Sequence, residues 1–73
     1  MKIVVIDGQG RNIGRRIVEE IKAKKIGCEI LAIGTNSTAT ALMMKGGADV
    51  GATGENPVVL ASRDADVIIG PIG

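Results

Sequence analysis

The chain opens with a short apolar run and then changes its hydrophobic period. Residues 2–6 (KIVVI) are rich in β-branched side chains and end at Asp7-Gly8, a pattern typical of a strand buried on both faces of a parallel sheet. The apolar positions that follow lie on one face at helical spacing: Ile13, Ile17, Val18 and Ile21. The pattern predicts a strand and then an amphipathic helix ending near Gly27. On its other faces, we expect i,i+4 ion pairs of Arg15 with Glu19 and of Arg16 with Glu20.

A second unit repeats this order. Residues 28–34 (CEILAIG) predict another strand, which begins at the only cysteine, Cys28. Ser37 or Asn36 then caps a helix that Gly46-Gly47 ends. The apolar residues of this helix are Ala41, Leu42 and Met43.

The last third predicts shorter elements. Residues 48–52 (ADVGA) are a weaker strand candidate. Asn56 and Pro57 supply a cap and a first-turn proline for a short helix through about Arg63. Residues 66–70 (DVIIG) predict the last strand.

Strand and helix therefore alternate three times before a closing strand, which favours parallel strands joined by right-handed crossovers. We expect one domain over residues 1–73 in the α/β class. Its architecture is a three-layer Rossmann-like parallel sheet of about four strands in the order 3-2-1-4, half of a doubly wound fold.

Composition excludes several functions. The chain has 45% hydrophobic residues but no Phe, Trp or Tyr, and its net charge is +1, so it lacks both the stacking platforms and the basic surface of a nucleic-acid binder. The chain has no histidine and one cysteine, so we expect neither metal catalysis nor triad chemistry. No apolar stretch approaches the roughly 20 residues of a membrane span, and no signal peptide is evident, so we expect no membrane contact and a cytoplasmic location.

The glycine-rich turn after the first strand is the candidate binding site. Gly8 would make the turn, Gly10 would allow a phosphate to approach the backbone, and Gly14 would let the helix pack on the strand. The other residues of this candidate phosphate site are Gln9, Arg11, Asn12 and Ile13. A purely structural turn is the alternative, and for Asp7 we favour a capping role in the turn over contact with a ligand.

The end of the second strand bears on the choice of cofactor. NAD-binding folds place an acidic residue there, whereas this chain has Thr35, Asn36 and Ser37, whose hydroxyl and amide groups favour NADP over NAD. Simple helix capping explains the same three residues equally well. Gly70, at the end of the last predicted strand, and Pro71, which follows it, would face the glycine-rich turn across a crevice.

Four segments, IDGQGRNIG, GTNSTAT, GADVGATGENPVV and DVIIGPIG, together resemble a family of uncharacterised bacterial proteins, a domain of unknown function with Rossmann-like character. The resemblance covers nearly all 73 residues. It implies nucleotide binding at Gly8, Gly10, Gly14, Thr35, Asn36 and Gly70. Members of that family continue past GPIG, so we expect this chain to be truncated there, to expose its last strand at a sheet edge and to form a homo-oligomer through it.

Three functions follow from these patterns, and they leave open whether the chain is an enzyme. The first is a module that binds NAD(P) or a mononucleotide without chemistry. The second is an NADP-dependent oxidoreductase completed by a partner or by a missing C-terminal part. The third is a non-catalytic assembly element whose glycines are structural.

Overall fold

A computed structural model describes residues 1–8, 12–25, 27–54, 56 and 63–72 of the chain. Strands and helices follow one another as two complete β–α units and two further strands. In chain order they are β1 (Lys2–Asp7), α1 (Ile13–Lys24), β2 (Glu29–Gly34), α2 (Ser37–Lys45), β3 (Val50–Thr53) and β4 (Val67–Ile72).

The four strands form one parallel sheet in the order β3-β2-β1-β4, which confirms the predicted 3-2-1-4 arrangement. β1 pairs with β2 in unbroken register from Lys2 opposite Glu29 to Asp7 opposite Gly34. β1 and β2 are therefore the central strands, and β3 and β4 form the edges. All the carboxyl ends lie along one edge of the sheet.

Both helices cover the same face of the sheet. Side chains of β1 and β2 alternate, so that Ile3, Val5, Ile30 and Ala32 pack under α1 and α2, where Val18 and Met43 are fully buried. On the opposite face Val4, Ile6 and Ile33 are buried as well, and Ala65 packs against them. The third predicted helix falls mostly on residues 57–62, which lie outside the described residues. The helical layer that the sequence predicts on this second face therefore lies outside them as well.

Strand boundaries differ from the sequence prediction at β3 and β4. β3 begins at Val50 rather than at 48, because the backbone N–H of Ala48 still donates to the Met43 carbonyl oxygen of α2 at 3.3 Å. β4 runs to Ile72, so Gly70 and Pro71 lie within a strand and not in the predicted loop after it. The register of β4 on β1 shifts between Val5 and Asp7, and Gly70 has a φ of 113° there. A bulge of this kind lengthens a strand that the sequence pattern ends at its glycine.

Two details of α1 also differ. The helix ends at Lys24, because Lys25 is extended, and not near Gly27. Ile13 is 44% exposed and does not join the buried stripe, because it lies on the outer side of the helix with Arg16 and Glu19.

Of the expected ion pairs on α1, that of Arg15 with Glu19 is confirmed at 3.5 Å. The pairing of Arg16 with Glu20 is wrong, because Glu20 pairs with Lys24 at 3.1 Å. A glutamate that precedes its lysine by four residues has the more favourable orientation on a helix.

The start of α2 agrees with one of the two predicted caps. Asn36 is the cap, since its Oδ1 accepts from the Ala39 N–H at 2.8 Å, and Ser37 is the first helical residue. The buried residues of α2 are Ala39 and Met43, whereas Ala41, one of the apolar residues named from the sequence, is exposed.

At the amino edge of the sheet, one carboxylate joins three elements. Asp49 accepts from the Lys22 ammonium of α1 at 2.8 and 3.0 Å and from the backbone N–H of Ile30 in β2 at 2.8 Å. These hydrogen bonds hold the pKa of the Asp49 carboxyl below its ordinary value of 3.8.

The lowered pKa predicts how stability depends on pH. The Asp49 contribution is fully present above the unfolded-state pKa near 3.8 and is lost as pH falls through the lower folded-state value. We therefore expect Asp49→Asn to have a lower urea midpoint than the unaltered protein at neutral pH and a smaller decline below pH 4. Asp64→Asn, which alters an exposed turn residue, is the matched control and should follow the unaltered protein. Parallel declines for all three proteins would refute this role of Asp49.

Candidate functional site

The candidate site lies where the carboxyl ends of β1 and β2 meet. The backbone N–H of Thr35 donates to the carbonyl oxygen of Asp7 at 3.1 Å, and the Thr35 hydroxyl donates to the carbonyl oxygen of Gly8, also at 3.1 Å. Two bonds from one residue therefore hold the beginning of the glycine-rich turn against the end of β2.

A buried carboxylate occupies the start of α1. Asp7 is 1% exposed, and its Oδ2 accepts from the backbone N–H of Gly14, the second residue of the helix, at 3.1 Å. The capping role favoured for Asp7 is thus confirmed. This carboxylate satisfies one of the first-turn N–H groups that a bound anion uses in a dinucleotide-binding fold.

Gly14 also sits at a close contact between α1 and its surroundings. A Cβ on this residue would lie 2.6 Å from Asp7 Oδ2, 2.9 Å from Asp7 Cβ and 2.9 Å from the Met43 sulfur. A glycine at position 14 therefore lets α1 approach both β1 and α2, the packing function expected of the third glycine in the turn.

The end of β2 is equally crowded. A Cβ on Gly34 would overlap the Thr40 hydroxyl and would lie 2.5 Å from the Thr40 backbone nitrogen. The Thr40 hydroxyl also lies 2.8 Å from the hydroxyl of Thr53 at the end of β3. In a dinucleotide-binding fold the ribose is held at this strand end. In this protein the first turn of α2 packs against the end of β2.

Of the three residues expected at this place, two have structural partners. Thr35 holds the Gly8 turn, and the Asn36 side-chain oxygen caps α2. Ser37 is exposed in the first turn of α2. The capping alternative thus accounts for Asn36, while the Asn36 amide nitrogen and the Ser37 hydroxyl face no acceptor among the described residues.

A surface groove of about 400 Å³ runs along the outer side of α1 from its first residue. Among the described residues, Asn12, Ile13, Arg15, Arg16 and Glu19 line it. Asn12 precedes the helix in the left-handed conformation, with φ 66°, which asparagine tolerates better than most residues. From the sequence, Arg15 and Arg16 were expected only in ion pairs. They follow Asn12 by three and four residues, a spacing that places all three on one side of the helix.

The structure brings some of the predicted site residues together. Gly8, Asn12, Ile13, Gly14 and Thr35 lie around the ends of β1 and β2 and the start of α1. Gly70 and the Pro71 backbone lie in β4, between the pairings of Val5 with Ile69 and of Asp7 with Ile72, and so beside the end of β1. Gln9, Gly10 and Arg11 lie outside the described residues. None of the described ranges contains a group of three or more side chains that could hold a metal ion, or a helix long and apolar enough to cross a membrane.

Comparison with known proteins identifies a family. A family model described as a domain of unknown function, DUF3842, matches residues 2–73. The chain belongs to this family. A search of curated proteins and a search of solved structures returned no match. The expected membership in a domain of unknown function is therefore confirmed, and the fold assignment comes from the strand order described above.

The crowding at Gly14 reverses the usual effect of a glycine-to-alanine change in a helix. Alanine normally stabilises a helix by roughly 1 kcal/mol over glycine, but Gly14→Ala should destabilise the protein by about 1–3 kcal/mol through overpacking against Asp7 and Met43. The measurement is urea unfolding followed by circular dichroism. Ala23→Gly, on the exposed side of the same helix, is the control and should cost about 1 kcal/mol in the ordinary direction. A stabilising Gly14→Ala would show that the contact is not tight.

Proposed function

We propose that this domain binds a nucleotide-type small molecule at the carboxyl edge of its sheet, beside the end of β1. The observation that carries the proposal is the strand order, because the connections run in opposite directions on either side of β1, and at such a switch point an open parallel sheet has a crevice beyond the carboxyl ends of its strands. Ligands of open parallel α/β sheets bind in that crevice. The glycine-rich turn and the start of α1 adjoin it, as does Gly70 in the irregular part of β4.

The proposed ligands are NADP, NAD or a mononucleotide. A small residue at the end of β2, with no carboxylate beside it, gives a ribose 2′-hydroxyl no acidic partner, which favours NADP over NAD among dinucleotides. The Asn36 amide nitrogen and the Ser37 hydroxyl supply the polar groups available at that strand end. Binding without chemistry accords with a chain that contains no histidine. An oxidoreductase would need a substrate site contributed by a partner or by further chain.

The third function, an assembly element with structural glycines, has a specific observation in its favour. Added Cβ atoms at Gly14, Gly34, Gly46 and Gly51 would each approach a neighbouring atom within 3.0 Å. Close packing therefore explains these four glycines without a ligand. The described contact of Gly8 is of another kind, because its carbonyl oxygen accepts from the Thr35 hydroxyl.

Calorimetric titration with NADP, NAD, AMP and ADP tests nucleotide binding. We expect at least one of them to bind, and we expect Thr35→Val to weaken it by about fivefold, because the variant loses the hydroxyl that holds Gly8 and with it about 1 kcal/mol. Thr38→Val, on the exposed side of α2, is the matched control and should bind as the unaltered protein does. Absence of binding to all four ligands would refute the nucleotide proposal and favour the assembly element.

We also propose that the domain self-associates through β4. This strand is an edge of the sheet, it carries no charged residue, and Val67 and Ile68 are 38% and 45% exposed. Edge strands of soluble proteins are usually protected by charges, so an apolar, uncharged edge favours pairing with another strand. A second copy of the chain offers the same edge and would continue the sheet across a twofold axis.

Light scattering after size-exclusion chromatography tests the self-association. The measured mass should rise with concentration towards twice the 7.5 kDa of one chain. Ile68→Lys should keep the protein monomeric, since a charge on β4 opposes strand pairing. Val50→Lys, at the opposite edge on β3, replaces a side chain of 51% exposure and should leave association unchanged. A monomer at high micromolar concentration would contradict the proposal.

A further inference from the structure

The three methionines of the chain lie in three different surroundings. Met1 is 62% exposed, whereas Met43 is fully buried, with its sulfur close to Gly14. Met44 is intermediate, because it is 39% exposed in the last turn of α2. An oxidant reaches an exposed thioether before a buried one, so we expect the three sulfurs to react in the order Met1, Met44, Met43.

Met44 differs from Met1 in what its sulfur contacts. A Cβ on Gly51, in the edge strand β3, would lie 2.8 Å from the Met44 Sδ and 3.0 Å from the Met44 Cγ. The thioether therefore packs directly on the backbone of β3, in space that a side chain at position 51 would fill. An apolar, adaptable sulfur suits such a contact, whereas a sulfoxide is polar and larger by one oxygen atom.

The position of β3 depends on its contacts with α2. β3 is a strand of four residues at the edge of the sheet, where it pairs with β2. The Thr40 hydroxyl of α2 donates to the Ala52 carbonyl oxygen at 3.1 Å and lies 2.8 Å from the Thr53 hydroxyl. Met44 follows Thr40 by one helical turn, so both side chains lie on the side of α2 that packs on β3.

We propose that Met44 is an oxidation site, at which a peroxide-type oxidant releases the contact between α2 and β3. A lone pair of the Met44 sulfur attacks one oxygen of hydrogen peroxide, the O–O bond breaks and water leaves, so that the sulfur loses two electrons and the peroxide gains them. The new sulfoxide oxygen needs hydrogen-bond donors, which water supplies. The side chain therefore turns from Gly51 to solvent and leaves the backbone of β3 uncovered.

The modification can be reversed. A methionine sulfoxide reductase removes the oxygen as water while a dithiol becomes a disulfide, and the thioether then packs on Gly51 again. Neither direction of this reaction depends on whether the domain binds a nucleotide.

Peptide mass spectrometry after graded exposure of the folded protein to hydrogen peroxide measures the order of oxidation. Met1 should be converted first, Met44 second and Met43 last, in keeping with their exposure. Conversion of Met44 no faster than that of buried Met43 would overturn the proposal, because the sulfur would then react only after the protein unfolds.

Urea unfolding after oxidation measures the consequence, at the dose that converts Met1 and Met44 and leaves Met43 intact. The folding equilibrium constant of the unaltered protein should fall by about tenfold, the effect of one polar group without partners at a packed contact. Met44→Leu keeps an apolar side chain of similar volume and should lose less than about twofold on oxidation. Met1→Leu is the matched control and should behave as the unaltered protein does. Equal losses in Met44→Leu and the unaltered protein would contradict the proposal.

Hydrogen exchange of the unaltered protein tests the release of β3 directly, even if Met44→Leu does not fold. The Gly54 N–H donates to the Gly34 carbonyl oxygen at 2.9 Å, at the end of β3. Its exchange should become about tenfold faster after oxidation and should slow again after treatment with the reductase and a dithiol. The Thr35 N–H, which donates to Asp7 between β1 and β2, is the control and should exchange as before. An unchanged Gly54 rate would show that oxidation does not loosen β3.

Discussion

The contact between the Asp7 carboxylate and the Gly14 backbone joins the first strand to the first helix, and the geometry of the candidate site depends on it. The carboxylate is the side chain of the last residue of β1 and accepts from the second residue of α1, so the helix start and the strand end are held at hydrogen-bond distance. Burial to 1% exposure makes the bond costly to break, because a buried carboxylate without its donors loses the interactions that replace water. Thr35 adds a second connection from β2 to the same turn.

Close approach of backbones is a general feature of this fold. Gly46 brings α2 within reach of the Arg15 carbonyl oxygen of α1, and Gly51 lies against Met44. A chain of 73 residues without aromatic side chains has few large groups with which to fill space between layers. Glycine at the contact points lets helices and sheet come closer together, which keeps a core of Ile, Val, Ala and Met well packed. The high glycine content therefore has a structural explanation at several positions, independent of any ligand.

The fold was predictable from the sequence, because each central strand carries a continuous apolar run and each of the two described helices has a distinct signal. The run in residues 2–6 and the cap at Asn36 are local patterns. The strand order was predicted from the precedent of dinucleotide-binding folds, and the structure confirms it. Features that depend on contacts between distant residues were not predictable. Asp49 accepts hydrogen bonds from Lys22 and Ile30, and no local sequence pattern connects Asp49 with either residue. The bulge near Gly70 likewise depends on the register of β4 against β1.

The candidate site shows why a glycine-rich turn predicts where a helix packs on a strand better than it predicts whether a ligand binds there. A glycine is required wherever a Cβ would collide, and the collision partner can be a ligand phosphate or the protein itself. At Gly14 the partners within 3.0 Å are Asp7 and Met43, so packing alone requires the glycine. The spacing of glycines cannot distinguish these cases, because both place the same residue at the same helix start. The distinguishing feature is the acceptor of the first-turn N–H group. That acceptor is here the buried Asp7 carboxylate, so contacts within the chain account for the glycine at this position.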